Sequence, residues 1–238
     1  MKSTIFNITL ATFCLIMFYS CSSVETVKSD DVEQRIIFPQ YFIHYNADDS
    51  TTMATAKFNV NNGAGAALKL AGGSNVKYDG EKLSGAANKS DNSYQYTLRR
   101  HGALNPKSAF LYTNNDKQEF SNQLNINSFE LNTAKVELSK SVTNTVKFSG
   151  KPLDENETLE CIMTQCGNEE NSFSVSCYQD NDNSHMIIIF GEDIEAPAGE
   201  YEIQFVRRNS SSEISAMERG GLWETEYLSK KVKALIIN

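Results

Sequence analysis

The chain has 238 residues, 40% of them hydrophobic, and a formal net charge of −8 from 30 acidic and 22 basic side chains. Binding to nucleic-acid phosphates needs a basic footprint, so this balance argues against a nucleic-acid partner. The hydrophobic content argues against a wholly disordered chain, and four prolines with 13 glycines argue against collagen-like or proline-rich classes.

The first predicted element is a cleaved signal peptide over residues 1–20. Lys2 supplies its positive charge, and residues 5–19 carry neither charge nor proline. This apolar stretch is shorter than the ~20 residues that span a bilayer core, and it has the length of a signal-peptide h-region. An ordinary signal peptide or a short membrane anchor would begin in the same way, so the junction that follows decides the class.

The junction Phe18-Tyr19-Ser20-Cys21 resembles the lipobox of bacterial lipoproteins, in the form familiar from the Bacteroidota. The resemblance implies that Cys21 becomes the acylated, palmitate-type N-terminus and holds the protein on a membrane. Ser22 resembles an outer-membrane sorting signal, and the acidic run 28–31 resembles surface-export signals, so the periplasmic and surface-exposed faces both stay open. Residues 21–34 are polar, and we predict that they form a flexible tether after the lipidated cysteine.

Beyond residue 34 the dominant pattern is period-2 alternation of apolar and polar residues, which predicts strands with one buried face. Asn, Asp and Gly cluster between these strands, as is typical of tight turns. The fold class predicted is therefore all-β. The alternating runs lie at 54–60, 94–99, 136–138, 146–148, 159–163, 173–177 and 201–205.

An internal repeat predicts the number of domains. Residues 76–83 and 146–153 share the pattern V-K-aromatic-x-G-x-x-L at an offset of 70 residues. We therefore predict two tandem β-sandwich domains, at 35–130 and 131–238.

The second copy shows seven strand-like runs, and Gly199-Glu200-Tyr201 opens one of them after a turn at Pro197. This placement resembles the tyrosine corner of immunoglobulin-like sandwiches. The resemblance implies that the Tyr201 hydroxyl bonds to backbone around 195–198 and that both domains are immunoglobulin-like. The predicted strands lie near 134–139, 145–149, 157–164, 172–178, 186–190, 200–207 and 227–237.

Three cysteines lie beyond the leader, at Cys161, Cys166 and Cys177. Cys161 and Cys177 share the inward parity of their strands, so they form either a disulfide or two buried thiols, and both alternatives stay open. The spacing of the three cysteines, without a fourth ligand, does not make a zinc site.

No motif predicts catalysis, a metal or a cofactor. The run 180–184 resembles half of an EF-hand loop but lacks its glycine and its final glutamate, so a polar hairpin turn is the prediction. His44 is predicted to be a hydrogen-bonded strand residue, and the basic pair Arg207-Arg208 to be solvated.

These patterns lead to a functional hypothesis. We expect a non-enzymatic, lipid-anchored lipoprotein of the outer membrane that acts as an adhesion-type binding module. Its partner beyond the membrane would be an envelope or extracellular protein or a glycan. The alternatives are an accessory structural subunit of an outer-membrane assembly and a glycan-binding protein.

Overall fold

The computed structural model describes residues 25–91, 93–212, 214 and 218–238. The described chain is nearly all β, which confirms the predicted fold class, and its few helical residues form three short 3-10 turns, at Ser29–Asp31, Gln34–Ile36 and Gly191–Asp193.

The described residues of the first half, up to residue 125, form ten strands. They are β1 (Thr26–Lys28), β2 (Ile37–Asn46), β3 (Thr51–Val60), β4 (Ala67–Lys69), β5 (Asn75–Tyr78), β6 (Glu81–Lys82), β7 (Ser84–Asn88), β8 (Ser93–His101), β9 (Lys107–Thr113) and β10 (Glu119–Asn125).

The described residues of the second half form nine strands, and six of them correspond to single runs predicted from the sequence. They are β11 (Phe129–Leu131), β12 (Lys135–Ser139), β13 (Asn144–Gly150), β14 (Glu157–Gln165), β15 (Ser172–Gln179), β16 (Met186–Ile189), β17 (Gly199–Ser211), β18 (Leu222–Leu228) and β19 (Val232–Ile237). The predicted last strand, 227–237, is in fact two strands, because the chain leaves the ladder between β18 and β19.

One long sheet runs through both halves, in the order β1-β4-β3-β2-β18-β17-β14-β15-β16-β13-β11, with β7, β8, β12 and β19 attached beside it. A second sheet of four strands, β10-β9-β5-β6, belongs to the first half alone. In the first half the two sheets pack face to face through aromatic rings, and Tyr41 stacks on Phe110 at 4.6 Å between ring centroids. Burial of these rings is the main stabilising contribution there.

The two halves are joined by a backbone ladder. Strand β18 of the second half runs parallel to β2 of the first half, over register pairs from Leu222 with Gln40 to Leu228 with Asn46. The rings of Tyr45 and Tyr227 stack across this junction at 5.6 Å. Two separately folding domains therefore stay a prediction, and any such domains share a sheet.

The structure corrects two of the predicted boundaries. Strand β11 pairs with β13, with Phe129 opposite Gly150, so the second half begins before the predicted residue 131. The predicted tether 21–34 is also too long. Thr26 to Lys28 pair with β4, and Ser29 is fully buried, where its hydroxyl accepts from the backbone N–H of Ala71 and bonds to the hydroxyl of Ser74.

Among the described residues, no helix is long and apolar enough to cross a membrane.

Candidate functional site

The predicted lipidation site, Cys21, lies outside the described residues. The structure does place Tyr201: it is fully buried, and its hydroxyl donates to the carbonyl oxygen of Pro197 at 2.9 Å. This acceptor lies within the backbone 195–198 that the resemblance to the tyrosine corner implies. The bond fixes the turn before β17 and is structural in character.

Cys161 and Cys177 are free thiols, both buried. The register of β14 and β15 places Cys161 opposite Val175 and Cys177 opposite Leu159, so the two thiols are diagonal neighbours. Diagonal positions lie farther apart than a disulfide spans, which explains why the structure keeps the thiols apart. Burial raises the pKa of both thiols, so neither is a ready nucleophile. Cys166 is free and exposed.

The loop 180–184 is a hairpin turn between β15 and β16. The Asp182 backbone N–H donates to Oδ1 of Asp180 at 2.9 Å, and the Asp180 N–H donates to the carbonyl oxygen of Met186 at 2.9 Å. In the described part of the chain, no three His, Cys, Asp or Glu side chains gather in a way that could hold a metal ion.

The prediction that Arg207 and Arg208 are both solvated is wrong for Arg207. Its side chain is 2% exposed, and it pairs with the equally buried carboxylate of Glu157. It also donates to the carbonyl oxygens of Lys151 at 2.6 Å and Pro152 at 2.8 Å. Parity explains the difference, since Arg207 shares the inward face of β17 with Tyr201. The burial of Arg207 could have been considered from the sequence, because Arg207 occupies an inward-facing position in the alternating pattern.

His44 lies in a row of charged side chains that crosses the outer face of the long sheet. Its Nδ1 lies 2.7 Å from Oε1 of Glu226, and Arg208 donates to Oε2 of Glu226 at 2.6 Å and to Oε2 of Glu160 at 2.7 Å. The His44 contact is the largest cause that holds the pKa of Glu226 below its ordinary value, with Arg208 adding to it and burial opposing it. Both carboxylates of the row already have partners within it, so the row is a stabilising network and not an open site.

The best candidate for a ligand site is a cleft of about 780 Å³ between the N-terminal segment and the β9–β10 turn. We call it the acidic cleft, because four carboxylates line it against one guanidinium, that of Arg35. The carboxylates are Asp30, Glu33, Asp116 and Glu218. Carboxamides and one aromatic ring also line it, from Gln34, Asn114, Asn115, Gln118 and Phe120, together with Val32 and Gly72.

Side-chain bonds position the walls of the acidic cleft. The side chain of Gln34 donates to the carbonyl oxygen of Ser29 at 2.7 Å and accepts from the backbone N–H of Asn115 at 3.2 Å. Asn114 is 2% exposed, and its Oδ1 accepts from the Gln118 N–H at 2.9 Å, which closes the β9–β10 turn. The walls are therefore preorganised, which lowers the entropic cost of binding.

The floor of the acidic cleft depends on a glycine. Gly72 has φ +62°, and a Cβ there would lie 3.0 Å from Cβ of Asp30 and 3.1 Å from Oδ1 of Asn115. Both polar atoms of the Asn115 carboxamide are buried without a hydrogen-bond partner among the described residues. Buried polar groups are nearly always paired, so this carboxamide has unused capacity to donate and to accept a hydrogen bond.

The chemistry that the cleft offers is recognition of a polar or positively charged group. Carboxylates accept hydrogen bonds and attract cations, and carboxamides both donate and accept. The charge of Arg35 is already compensated, because Glu33 accepts from its Nε at 2.6 Å and, together with Glu218, raises its pKa.

Sequence reasoning missed the acidic cleft. Its acidic residues near 30–33 were assigned to the tether, and the Asn-Asn-Asp run at 114–116 was assigned to an ordinary turn. The two segments are 81 residues apart at the bond between Gln34 and Asn115, and Glu218 lies on the other half of the chain. Only strand pairing brings them together, so no local signal could have found the cleft.

Comparison with known proteins adds no relative to this picture. No protein-family model matches the chain, and a search of curated proteins finds no match.

Proposed function

We propose that this protein is a non-enzymatic lipoprotein of the cell envelope, anchored through Cys21 to the outer membrane, that binds a polar or cationic ligand in the acidic cleft. The observation that carries the binding role is the cleft itself: four carboxylates and the unpaired carboxamide of Asn115 meet in a preorganised pocket. The pocket has a volume within the range usual for ligand sites. The signal-like leader and its lipobox resemblance support the anchor.

We also propose that the second half is an immunoglobulin-like sandwich. Three contacts support this. The Tyr201 hydroxyl bonds back to Pro197, β12 pairs in parallel with β19, and β13 pairs with β16 in antiparallel fashion. Sandwiches of this type present loops at their ends as binding surfaces, which is compatible with a binding module.

An accessory structural subunit is the second candidate, and one surface favours it. Tyr178 of β15 is 49% exposed, Phe190, directly after β16, is 38% exposed, and the centroids of their rings lie 5.6 Å apart. Exposed aromatic pairs are good anchors for a protein partner.

Photocrosslinking separates these functions. A photoreactive phenylalanine analogue replaces Asp116, at the acidic cleft, or Asp182, an exposed acidic residue in a distant turn, in cells that express the full chain. Adducts with several external proteins or with glycans, from position 116 alone, support the binding module. One stoichiometric envelope protein supports the subunit. Equal adducts from both positions, or none from 116, contradict binding in the cleft.

A charge-matched pair of variants tests the cleft chemistry in the same cells. Glu33→Gln with Asp116→Asn removes two carboxylates while keeping side-chain size, and we expect it to weaken ligand capture about tenfold or more. Asp180→Asn with Asp182→Asn removes two carboxylates elsewhere and should leave capture unchanged.

A further inference from the structure

The first strand of the described chain already pairs with the rest of the fold. Strand β1 pairs in parallel with β4, with Thr26 opposite Ala67 and Lys28 opposite Lys69. Directly after it, the hydroxyl of Ser29 accepts from the backbone N–H of Ala71 at 2.8 Å. These contacts fix the direction in which the chain enters the molecule.

Strand directions show which loops share the end where β1 begins. Ala67, opposite Thr26, is also opposite Asn59 near the end of β3, so the β3–β4 turn at 61–66 lies at this end. Strand β2 starts here too, because Ile37 pairs with Val60. We call this the entry end.

The opposite end of the molecule holds the β2–β3 turn at 46–51 and the β14–β15 turn at 166–171. Asn46 pairs with Thr51 there, and Gln165 pairs with Tyr201 at the start of β17. We call this the far end. The ten residues of β2, at ~3.3 Å each, separate the two ends by roughly 30 Å.

We propose that the entry end faces the lipid surface at close range and that the protein therefore stands in one fixed orientation on its membrane. This inference rests on the proposed lipidation of Cys21. Only five residue steps separate Cys21 from Thr26, which is at most ~18 Å of extended chain. A flexible tether of 13 residues would let the folded part of the protein rotate freely relative to the membrane. The pairing of β1 with β4 prevents this rotation.

The orientation has a consequence for the acidic cleft. Gln34 precedes β2 by a few residues and bonds to Asn115 in the β9–β10 turn, so the cleft lies toward the entry end. A ligand therefore reaches it from the side of the membrane, while the far-end turns point outward.

Site-specific quenching tests the orientation on the full lipidated chain. Cys166 is exposed at the far end, whereas Cys161 and Cys177 are buried, so a maleimide fluorophore labels position 166. Ala64→Cys with Cys166→Ser moves the label to the exposed entry-end turn, and Asp49→Cys with Cys166→Ser gives a second far-end position. The vesicles contain phosphatidylethanolamine, phosphatidylglycerol and a lipid with a nitroxide headgroup.

We expect the label at 64 to be quenched at least threefold more than the labels at 166 and 49. Equal quenching at all three positions of vesicle-bound protein overturns the fixed orientation, and stronger quenching at 166 or 49 does so as well. A chain that begins at Ser22 serves as the control without an anchor and should not bind vesicles. If the full chain also fails to bind, the proposed lipid anchor is wrong, and the orientation falls with it.

Discussion

The two halves of the molecule use the same alternating pattern but stabilise it differently. In the first half, aromatic rings fill the space between two sheets, as where Tyr41 stacks on Phe110 and Phe58 packs against Tyr112 at 4.7 Å. In the second half the core is mostly aliphatic, and buried polar groups are bonded at fixed points, as at Arg207 with Glu157. Alternation alone therefore determines which face is buried, but not how the buried face is held together.

Two buried tyrosines show the same contrast on a smaller scale. The hydroxyl of Tyr112, in the first half, is buried and makes no hydrogen bond to the described residues. The hydroxyl of Tyr201, in the second half, donates to Pro197. At Tyr112 the ring provides the stabilisation, whereas at Tyr201 the hydroxyl also specifies the geometry of a turn.

Deleting the first half of the chain should have the largest effect on the stability of the second half. A chain of residues 127–238 keeps the second half but removes β2, the partner of β18. Cross-strand pairs contribute ~0.2–1 kcal/mol each, so we expect a cooperative, β-rich fold that is less stable than the full chain by several kcal/mol. Circular dichroism melts measure this difference.

Either of two results would contradict that expectation. A midpoint equal to that of the full chain would mean that the ladder between β2 and β18 adds no stability. A broad, non-cooperative melt would mean that the two halves form one inseparable body.

The buried ion pair of the second half should give the next largest effect. Glu157→Gln leaves the guanidinium of Arg207 buried without a compensating charge, which costs about 3–5 kcal/mol. The matched control is Glu160→Gln, because Glu160 pairs with the partly exposed Arg208 and should cost only about 0.2–1 kcal/mol. Urea unfolding of both variants measures the two free energies.

A double variant sharpens the same test. Replacing Arg207 and Glu157 together by methionine removes both charges, and apolar replacements of buried pairs are often neutral or stabilising. We expect the double variant to recover much of the stability that Glu157→Gln loses. If Glu157→Gln and Glu160→Gln lower the free energy of unfolding equally, the buried pair of Arg207 and Glu157 is no more stabilising than a surface ion pair.

Much of the fold could be predicted from the sequence, and little of the site. Six strands of the second half follow from local alternation, and the acceptor of Tyr201 lies where the resemblance to the tyrosine corner implies. The parallel pairing of β2 with β18 could not be predicted, since it joins segments far apart in the chain and leaves no local pattern. The acidic cleft depends on that kind of long-range pairing. Arg207 occupies an inward-facing position in the alternation of β17, but a charged side chain is ordinarily expected to be exposed, so its burial was not predicted.

Tyr201 and Tyr112 provide a third test, in which the expected change in stability is smaller than that for the buried ion pair. Tyr201→Phe leaves the carbonyl oxygen of Pro197 without its donor, and we expect a loss of about 1–3 kcal/mol. Tyr112→Phe removes a hydroxyl that has no hydrogen-bond partner among the described residues, so stability should stay constant or rise slightly. Thermal melts of the full chain measure both. Equal losses from the two variants would contradict the contrast between the halves.

The smallest expected effect concerns the charged row that joins the halves. His44 and Arg208 hold the pKa of Glu226 below its ordinary 4.5 in the folded protein. A carboxyl with a lowered pKa stabilises the fold above its unfolded pKa, and this stabilisation is lost as the pH falls through the folded pKa. Glu226→Gln should therefore cost about 0.2–1 kcal/mol at neutral pH, and the difference from the unmodified protein should shrink as the pH falls below 4.5. Urea unfolding across that pH range measures the difference, with Glu224→Gln on the same strand face as the control. A difference that stays constant with pH, or equals that of the control, would mean that Glu226 does not link the two halves electrostatically.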